Sequence, residues 1–271
     1  EIPLRLVGSE MCIRDSIKFD LFVKEAKKLG ADYIATGHYA RIIQLPNGRY
    51  TLQEARGIDK DQTYALYNLT QEQLARTLMP VGEYSKPEIR KIAEDHGLMV
   101  AHKPDSQDIC FVPDGDYAGY LENEAGLKAV PGDFVDIHGN VIGRHKGIIH
   151  YTIGQRKGLG LAMGHPVFVV DIIPETNQVV IGENGDVFSE RLTCNRLNFM
   201  SIADLTEPMH VKAKIRYNHK GSMCTIRKID EDLVEAVFDE PVRAVTKGQA
   251  VVFYECDHCL LYTSDAADEA R

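Results

Sequence analysis

The cysteines are the residues of this chain whose type and spacing could most directly do chemistry. Six are present, at positions 12, 110, 194, 224, 256 and 259. Cys256 and Cys259, with His258 beside them, have the spacing of a metal-binding pair. Tetrahedral zinc needs four ligands, however, and no second cysteine pair or histidine pair follows. We therefore predict no metal site and expect reduced thiols, of which the reactive one must be exposed enough to ionise.

Charge is unevenly distributed along the chain, whose formal net charge is −9 at pH 7. An acidic protein is a poor general binder of nucleic acid, because phosphate contacts require Lys and Arg. Two windows nevertheless contain basic residues and no carboxylate: residues 137–170 hold four and residues 208–229 hold six. These windows predict either a positive face or ordinary solvated surface, and charge alone leaves both open.

The first third of the chain predicts an α/β layer. Apolar residues from Lys18 to Leu29 recur with helical spacing, and residues 32–36 have the pattern of a buried strand. Gly37 follows that strand. Because it lacks a Cβ, it would let a nucleotide approach the backbone closely, although a simple turn glycine is the alternative.

Turn and capping signals predict the elements that follow. A hairpin is expected over residues 40–54, and Ser85 begins a helix that should direct Ile89, Ile92 and Ala93 inward and end at Gly97. A short strand is expected over 109–112 and a short helix over 116–123. After Gly132 short apolar or alternating runs dominate, which indicates β structure and, towards the carboxyl end, a small antiparallel barrel. These runs cover residues 134–137, 141–143, 167–173, 179–181, 211–217, 224–229, 234–238 and 250–254.

Hydropathy predicts no membrane association. No run approaches the roughly 18 apolar residues of a membrane span, and no secretory signal is visible. The expected compartment is the cytoplasm.

Four ordered stretches together resemble the tRNA-uridine 2-sulfurtransferases, also called 2-thiouridylases. They cover residues 30–39 (GADYIATGHY), 60–64 (KDQTY), 105–111 (DSQDICF) and 151–160 (YTIGQRKGLG), with weaker similarity at Arg216-Tyr217 and over residues 241–249. The similarity runs in order from Ile17 to about Leu260. Any one stretch could arise by chance, but the ordered set is specific.

The resemblance implies an α/β plus all-β fold in three domains. Residues 17–113 would be part of a parallel-sheet ATP-pyrophosphatase domain of the adenine nucleotide hydrolase type. Residues 114–191 would form a small β-rich central domain, and residues 192–260 a carboxyl-terminal antiparallel β-barrel. Residues 1–16 and 261–271 do not resemble the family and are expected to be non-native.

The resemblance also implies a chemistry. ATP, with Mg²⁺, adenylates the carbonyl oxygen of the wobble uridine, and a cysteine persulfide then delivers sulfur to the activated carbon. Gly37 would contact ATP, and Cys110 would carry the persulfide, loaded by a sulfur-donor protein. A second cysteine takes part in releasing the sulfur, which involves a disulfide. A buried structural cysteine is the alternative for Cys110.

Further residues are expected to contact tRNA, because they match the family's tRNA-binding positions. The loop residues are Lys60, Asp61 and Gln62, while His38, Arg216, Tyr217 and Gln249 stand elsewhere. Arg beside Tyr suits a splayed-out anticodon base, since guanidinium and ring both offer stacking faces. The alternatives are a packed His38, a capping role for Asp61, and plain barrel surface for Arg216, Tyr217 and Gln249. The stretch 155–160 lacks Walker spacing, so we interpret it as a basic loop for tRNA or interdomain docking.

Two family features are missing from the sequence. The phosphate-binding Ser-Gly-Gly-Val-Asp-Ser loop does not occur, and Ile13 stands where the first catalytic cysteine is expected, with Cys12 one position too early. We therefore expect this chain to be an amino-terminally truncated piece that exposes apolar edges and is inactive alone. Two other functions stay open: a tRNA-binding descendant without chemistry, and another ATP-pyrophosphatase.

Overall fold

The computed structural model describes residues 16–57, 60–102, 119, 128–263 and 265–267. The chain forms two compact units. The first draws on Glu1–His102, Glu190–Pro241 and Thr246–Arg271, and the second on Lys103–Ser189 and Val242–Val245. Within the described ranges, none of the helices has the length and apolar character that a membrane crossing requires.

The first unit begins with the predicted helix and strand. A π-helical turn, Ser16–Leu21, leads into α1, Phe22–Lys28, and both present apolar side chains to the core, where Phe19 is 0% and Val23 6% exposed. The strand that follows is shorter than predicted: β1 covers only Ile34–Ala35 and pairs in parallel with β4, Thr77–Leu78. This parallel pair next to helices confirms the α/β class.

Local signals predicted the hairpin and the helix that begins after Ser85. Strands β2, Arg41–Gln44, and β3, Tyr50–Gln53, form the predicted hairpin. Helix α3, Lys86–Asp95, begins directly after Ser85, the first residue of the predicted Ser85–Glu88 capping box. One expectation was wrong: α3 has no buried residue, and Ile92 is 39% exposed. Among the described elements, α3 packs mainly against the short 3-10 turn that follows it. The elements described here are β2 (Arg41–Gln44), β3 (Tyr50–Gln53), α2 (Gln71–Ala75), α3 (Lys86–Asp95) and the 3-10 turn Met99–His102.

A ten-stranded sheet is the largest element of the first unit, with strand order β16-β9-β13-β12-β11-β14-β15-β3-β2 and β10 paired to β15. Because β10 follows β9 closely in sequence yet pairs near the other end of this order, the sheet curls back on itself. The strands not yet defined are β9 (Phe188–Asn195), β10 (Asn198–Phe199), β11 (Met209–Lys214), β12 (Ser222–Asp230), β13 (Leu233–Arg243), β14 (Val251–Glu255), β15 (His258–Thr263) and β16 (Asp265–Ala267).

One core joins the hairpin region to the carboxyl-terminal sheet. It contains Leu52 and Tyr64 from the amino-terminal part and Val252, Tyr254 and Tyr262 from the sheet, each no more than 2% exposed. Parts of the two domains that the sequence predicts, 17–113 and 192–260, therefore share this core. Strand β15 also continues to Thr263, beyond the boundary expected at Leu260.

The second unit is built on a four-stranded sheet of order β6-β5-β8-β7. Alternate residues point to opposite faces, so that Phe134 and Val179 enter one apolar cluster while Val135 and Val180 enter another. The predicted strands are thus present, each within a few residues of its expected bounds. They are β5 (Gly132–Asp136), β6 (Val141–His145), β7 (Phe168–Ile173) and β8 (Gln178–Gly182).

Candidate functional site

The carboxyl end of β1 presents Gly37 to solvent. Thr36 donates its N–H to the Leu78 carbonyl of β4 at 3.0 Å, so Gly37 stands where the parallel pairing stops. Its φ is not positive, and no described residue lies within 4 Å of where a Cβ would stand. The described part of the fold therefore does not itself require glycine here. Open space at the carboxyl end of a parallel strand fits a bound nucleotide.

His38, next in the chain, turns inward. Its side chain is only 7% exposed, its Nδ1 lies 3.0 Å from the Thr36 hydroxyl, and its ring packs against Phe19 with centroids 5.8 Å apart. The packed histidine that the sequence left open as an alternative is therefore the observed geometry, beside the exposed Gly37.

Gln62 joins the 60–62 loop to this turn. Its N–H donates to the Tyr39 carbonyl at 2.8 Å, and its Oε1 accepts from the Tyr39 N–H at 2.9 Å. Two opposed bonds between the same residues hold the loop against the segment that carries Gly37 and His38. Lys60, at the start of the loop, has an exposed side chain.

Asp61 points into the protein. Its side chain is 5% exposed, and its Oδ1 accepts from the Ala55 N–H at 3.1 Å while its Oδ2 accepts from the Thr63 hydroxyl at 2.6 Å. The Lys214 ammonium lies 3.6 Å from the same Oδ2. This carboxylate is occupied by the fold, which agrees with the capping role that the sequence left open for Asp61.

Two lysines of β11 converge on a single carboxylate oxygen. Lys212 Nζ and Lys214 Nζ lie 3.1 Å and 3.0 Å from Glu54 Oε1, and both ammonium groups lie over the Tyr254 ring. Farther along the same basic window, Arg227 pairs with Glu235 and Lys228 with Asp204. The window 208–229 contains no carboxylate in sequence, yet in space these four basic residues are paired with carboxylates, which diminishes the positive face it could have formed.

Tyr64 brings three predicted tRNA-binding stretches together. It follows the 60–62 loop directly, its hydroxyl donates to the Ala250 carbonyl at 2.8 Å, and its ring meets that of Tyr217 edge-on at 6.2 Å. Gln249, half-buried, precedes Ala250 in a turn closed by its N–H to the Thr246 carbonyl. The buried Tyr64 therefore contacts Tyr217 and the residue next to Gln249, which lie far from it in sequence.

The turn after β11 carries Arg216 and Tyr217. Tyr217 is 50% exposed, so part of the residue is accessible to solvent. Burial, and then the charge of Arg216, lower the pKa of His219, whose Nδ1 accepts from the Ile215 N–H at 3.5 Å. A histidine kept neutral in this way can serve as the acceptor that shapes the turn.

Most of the described cysteines are poor thiolates. Burial raises the pKa of Cys194 and of Cys224 to about 12, and it raises the pKa of Cys259, whose Sγ accepts from the Tyr262 hydroxyl at 2.7 Å. Cys256 is exposed. The remaining two, Cys12 and the predicted persulfide carrier Cys110, lie outside the described residues. No cluster of ligands suited to a metal ion occurs among the described residues.

Glu54, Lys214 and Tyr64 organise this site without having been singled out as functional from the sequence. Tyr64 ended a quoted motif and Lys214 stood in a basic window, so both signals were present. What the sequence did not reveal is that Lys214 faces Glu54, because that pairing joins positions 160 apart.

Comparison with known proteins identifies the chain's relatives. Residues 10–114 match the tRNA methyl transferase HUP domain, residues 119–183 the tRNA methyl transferase PRC-barrel domain, and residues 189–260 the aminomethyltransferase beta-barrel domain. This order agrees with the α/β plus all-β prediction.

Whole proteins that resemble the chain identify its family more specifically than these domain matches do. The tRNA-specific 2-thiouridylase MnmA of Lachnoclostridium phytofermentans is 60% identical over 241 residues, which cover 89% of this chain and 68% of that protein. The enzyme of the same name from Clostridioides difficile is 53% identical over 242 residues, covering 89% and 67%. That from Carboxydothermus hydrogenoformans is 52% identical over 247 residues, covering 90% and 67%. With identity above one half across two thirds of these proteins, the chain belongs to the tRNA-specific 2-thiouridylase family.

Proposed function

We propose that this chain serves the 2-thiolation of tRNA, as a tRNA-uridine 2-sulfurtransferase. The observation that carries the proposal is its 60% identity over 241 residues with a tRNA-specific 2-thiouridylase. Sulfur transfer is favoured over the methyl transfer named in the domain descriptions, because relatives that match far more of the chain are named thiouridylases.

The nucleotide would be ATP, bound at the carboxyl end of β1. Exposed Gly37, with open space where a Cβ would stand, fits this role, and the neighbouring backbone is held by Gln62. Bound ATP, accompanied by Mg²⁺, would supply the adenylyl group that turns the uridine carbonyl oxygen into a leaving group. At this end the protein would hold the backbone of residues 37–39 in place. Because Gly37 has no side chain, the nucleotide could approach that backbone closely.

Cys110 is proposed as the persulfide carrier. Its terminal sulfur would bond to the activated uridine carbon as the oxygen leaves with AMP. A second cysteine thiol would then attack Cys110, so that the S–S bond breaks, 2-thiouridine is released and a disulfide forms. This chain has Ile13 where that cysteine of the family is expected, so the thiol would have to come from outside this sequence. Support comes from its sequence setting, residues 105–111, and from the other thiols: burial raises the pKa of Cys194, Cys224 and Cys259, and a protonated buried thiol is a poor nucleophile. A persulfide-bearing donor protein would load Cys110.

The tRNA would bind the surface above the buried Tyr64, which the 60–62 loop and the turn with Arg216 and Tyr217 form. Exposed Lys60 can meet a phosphate, and the accessible part of Tyr217 can stack on an unpaired base with Arg216 beside it. Buried Asp61, in contrast, would act on the RNA through the shape that it gives the loop.

Persulfide formation tests the chemical part of this proposal. The purified chain is incubated with a persulfide donor and its intact mass is measured after separation from the donor. We expect one added sulfur, which Cys110→Ser abolishes and Cys256→Ser, at the exposed control cysteine, preserves. A sulfur that persists in Cys110→Ser would contradict the assignment.

The binding part is tested with an unmodified tRNA transcript. A thiouridylase should bind it and take up sulfur on Cys110. The alternative, a tRNA-binding protein without chemistry, predicts affinity that falls steeply with salt and no sulfur on Cys110. Another ATP-pyrophosphatase predicts nucleotide binding without specific affinity for tRNA.

A further inference from the structure

Lys214 is a charged residue that the proposed mechanism does not use directly, yet it is among the best-held cations of the first unit. Its Nζ lies 3.0 Å from Glu54 Oε1, 3.6 Å from Asp61 Oδ2 and 4.8 Å from the centroid of the Tyr254 ring. Its side chain is 13% exposed. With two carboxylates and an aromatic face in a mostly shielded site, the ammonium group has one favourable position.

The two carboxylates bound by Lys214 stand at opposite ends of one segment. Glu54 follows β3, and Asp61 precedes Gln62. Asp61 Oδ1 also accepts from the Ala55 N–H at 3.1 Å, which draws the ends of the segment together. Lys214 therefore holds Glu54 and Asp61 together and ties the 60–62 loop to β11.

The 60–62 loop is hydrogen-bonded to the turn after β1, residues 37–39. Gln62 makes two hydrogen bonds to the backbone of Tyr39, one from its N–H at 2.8 Å and one to its Oε1 at 2.9 Å, and Tyr39 is adjacent to His38. On the other side, the Thr63 hydroxyl lies 2.9 Å from the Tyr254 hydroxyl, beneath the two lysines. A continuous set of contacts thus runs from β11 through Asp61 and Gln62 to the turn that carries Gly37.

We propose that Lys214 is a positioning residue for both substrate sites: it fixes Glu54 and the 60–62 loop on β11 and, through Gln62, the Gly37-His38 turn. The inference rests on the proposed function, because the sites that it positions are the tRNA and ATP sites assigned there. Lys214 acts through Glu54 and Asp61 and not by touching RNA. Its neighbour Lys212 shares Glu54 Oε1 but is more exposed, 27% against 13%, and provides a matched control.

The first test needs no substrate. Amide hydrogen exchange is measured residue by residue in the free chain for Lys214→Met, which keeps an unbranched apolar stem but removes the charge. We expect faster exchange at the amides of Ala55 and Tyr39, recovery in Lys214→Arg, and a smaller effect in Lys212→Met. Unchanged exchange at both amides in Lys214→Met would overturn the proposal.

The second test measures tRNA affinity as a function of salt. Loss of positioning predicts about tenfold weaker binding by Lys214→Met with the same slope of log affinity against log salt. A direct phosphate contact predicts instead a slope that falls by about 1, and that result would overturn the positioning role. If the wild-type chain binds no tRNA, the proposed function fails, whereas the exchange data still decide whether Lys214 positions the loop.

A variant of Glu54, the partner of Lys214, provides a test that does not depend on the folding of Lys214→Met alone. Glu54→Gln keeps the shape of the side chain and removes the charge that Lys214 binds. Because both variants break the same contact, we expect the double variant to lose little more tRNA affinity than either single one. Fully additive losses would mean that Lys214 acts independently of Glu54, and the proposal would be wrong.

Discussion

The hydroxyl oxygen of Tyr217 lies 3.5 Å from the carbonyl oxygen of Asp61, although 156 positions separate the two residues. This contact brings the turn after β11 against the loop of residues 60–62. Two stretches that the sequence predicts to bind tRNA, residues 60–62 and Arg216-Tyr217, are thus in contact through this hydrogen bond. A base held on the Tyr217 ring would lie next to the loop.

Replacement of Tyr217 should separate stacking from hydrogen bonding. Tyr217→Ala removes the half-exposed ring and should weaken tRNA binding by about 1–3 kcal/mol, whereas Tyr217→Phe should keep most of the affinity. Fluorescence anisotropy with labelled tRNA at one fixed salt concentration measures both. The control is Tyr33→Ala, at an exposed tyrosine outside the cluster. Wild-type affinity in Tyr217→Ala would rule out the stacking role.

Two glycines allow nucleotide binding to be distinguished from folding. At Gly37 the φ is ordinary and the surroundings described by the structure are open, so Gly37→Ala should fold normally but lose affinity for ATP. At Gly30 the φ is +76°, so Gly30→Ala should cost about 1 kcal/mol of stability with unchanged ATP affinity. Calorimetric titration with ATP and urea unfolding give the two readouts. Unaltered ATP binding by Gly37→Ala would contradict the site assignment.

Stability should decline in alkaline solution because of buried thiols. The pKa of Cys194 and of Cys224 is raised from 9.0 to about 12, so above pH 9 the unfolded chain releases protons that the folded chain retains. The contribution is complete below pH 9 and is lost as the pH rises towards 12. Each thiol adds a slope of at most about 1.4 kcal/mol per pH unit.

Urea unfolding between pH 9 and pH 10 isolates this effect, since tyrosine ionises ordinarily at 10.0 and thiols at 9.0. We expect Cys194→Ala to reduce the slope of stability against pH, whatever it does to stability itself. Cys256→Ala, at the exposed cysteine, should leave the slope unchanged. An identical slope in the Cys194 and Cys256 variants would disprove the explanation.

In the second unit, His145 should be a strong stability determinant. Its Nδ1 accepts from the Gly147 N–H at 3.0 Å and its Nε2 lies 3.0 Å from the Asn177 carbonyl, while its ring packs against Phe134 and Tyr151. His145→Ala would remove the partner of the buried Gly147 N–H, at about 1–3 kcal/mol, and that of the part-buried Asn177 carbonyl, at a smaller cost. Thermal unfolding measures the loss, with exposed His138→Ala as the control. Equal melting temperatures would show that water replaces these bonds readily.

Features that depend on neighbouring residues could be predicted from the sequence. The 40–54 hairpin and the Ser85 helix start were predicted correctly because a turn or a capping box is decided within a few residues. By the same reasoning β1 was expected to be longer than its two residues, since an apolar run marks burial and does not fix where ladder pairing ends.

Features that depend on distant partners could not be predicted. Strand β15 was not predicted, because its partners β10 and β3 lie far from it in sequence and no local signal reveals that pairing. Lys212 and Lys214 were counted as surface charge, because nothing local shows that Glu54 meets them. The position of Cys110, outside the described residues, stays a sequence prediction.

The sharing of one core by distant segments has a consequence for synthesis. Gln53 of β3 pairs with His258 of β15, so the hairpin cannot pair with this strand until the ribosome has synthesised it. The four-stranded sheet of the second unit, within residues 132–182, is completed earlier. Contacts of such long sequence separation slow folding and leave apolar strands uncovered meanwhile. On the ribosome, the amino-terminal hairpin should therefore depend on chaperone protection for longer than the sheet made after it.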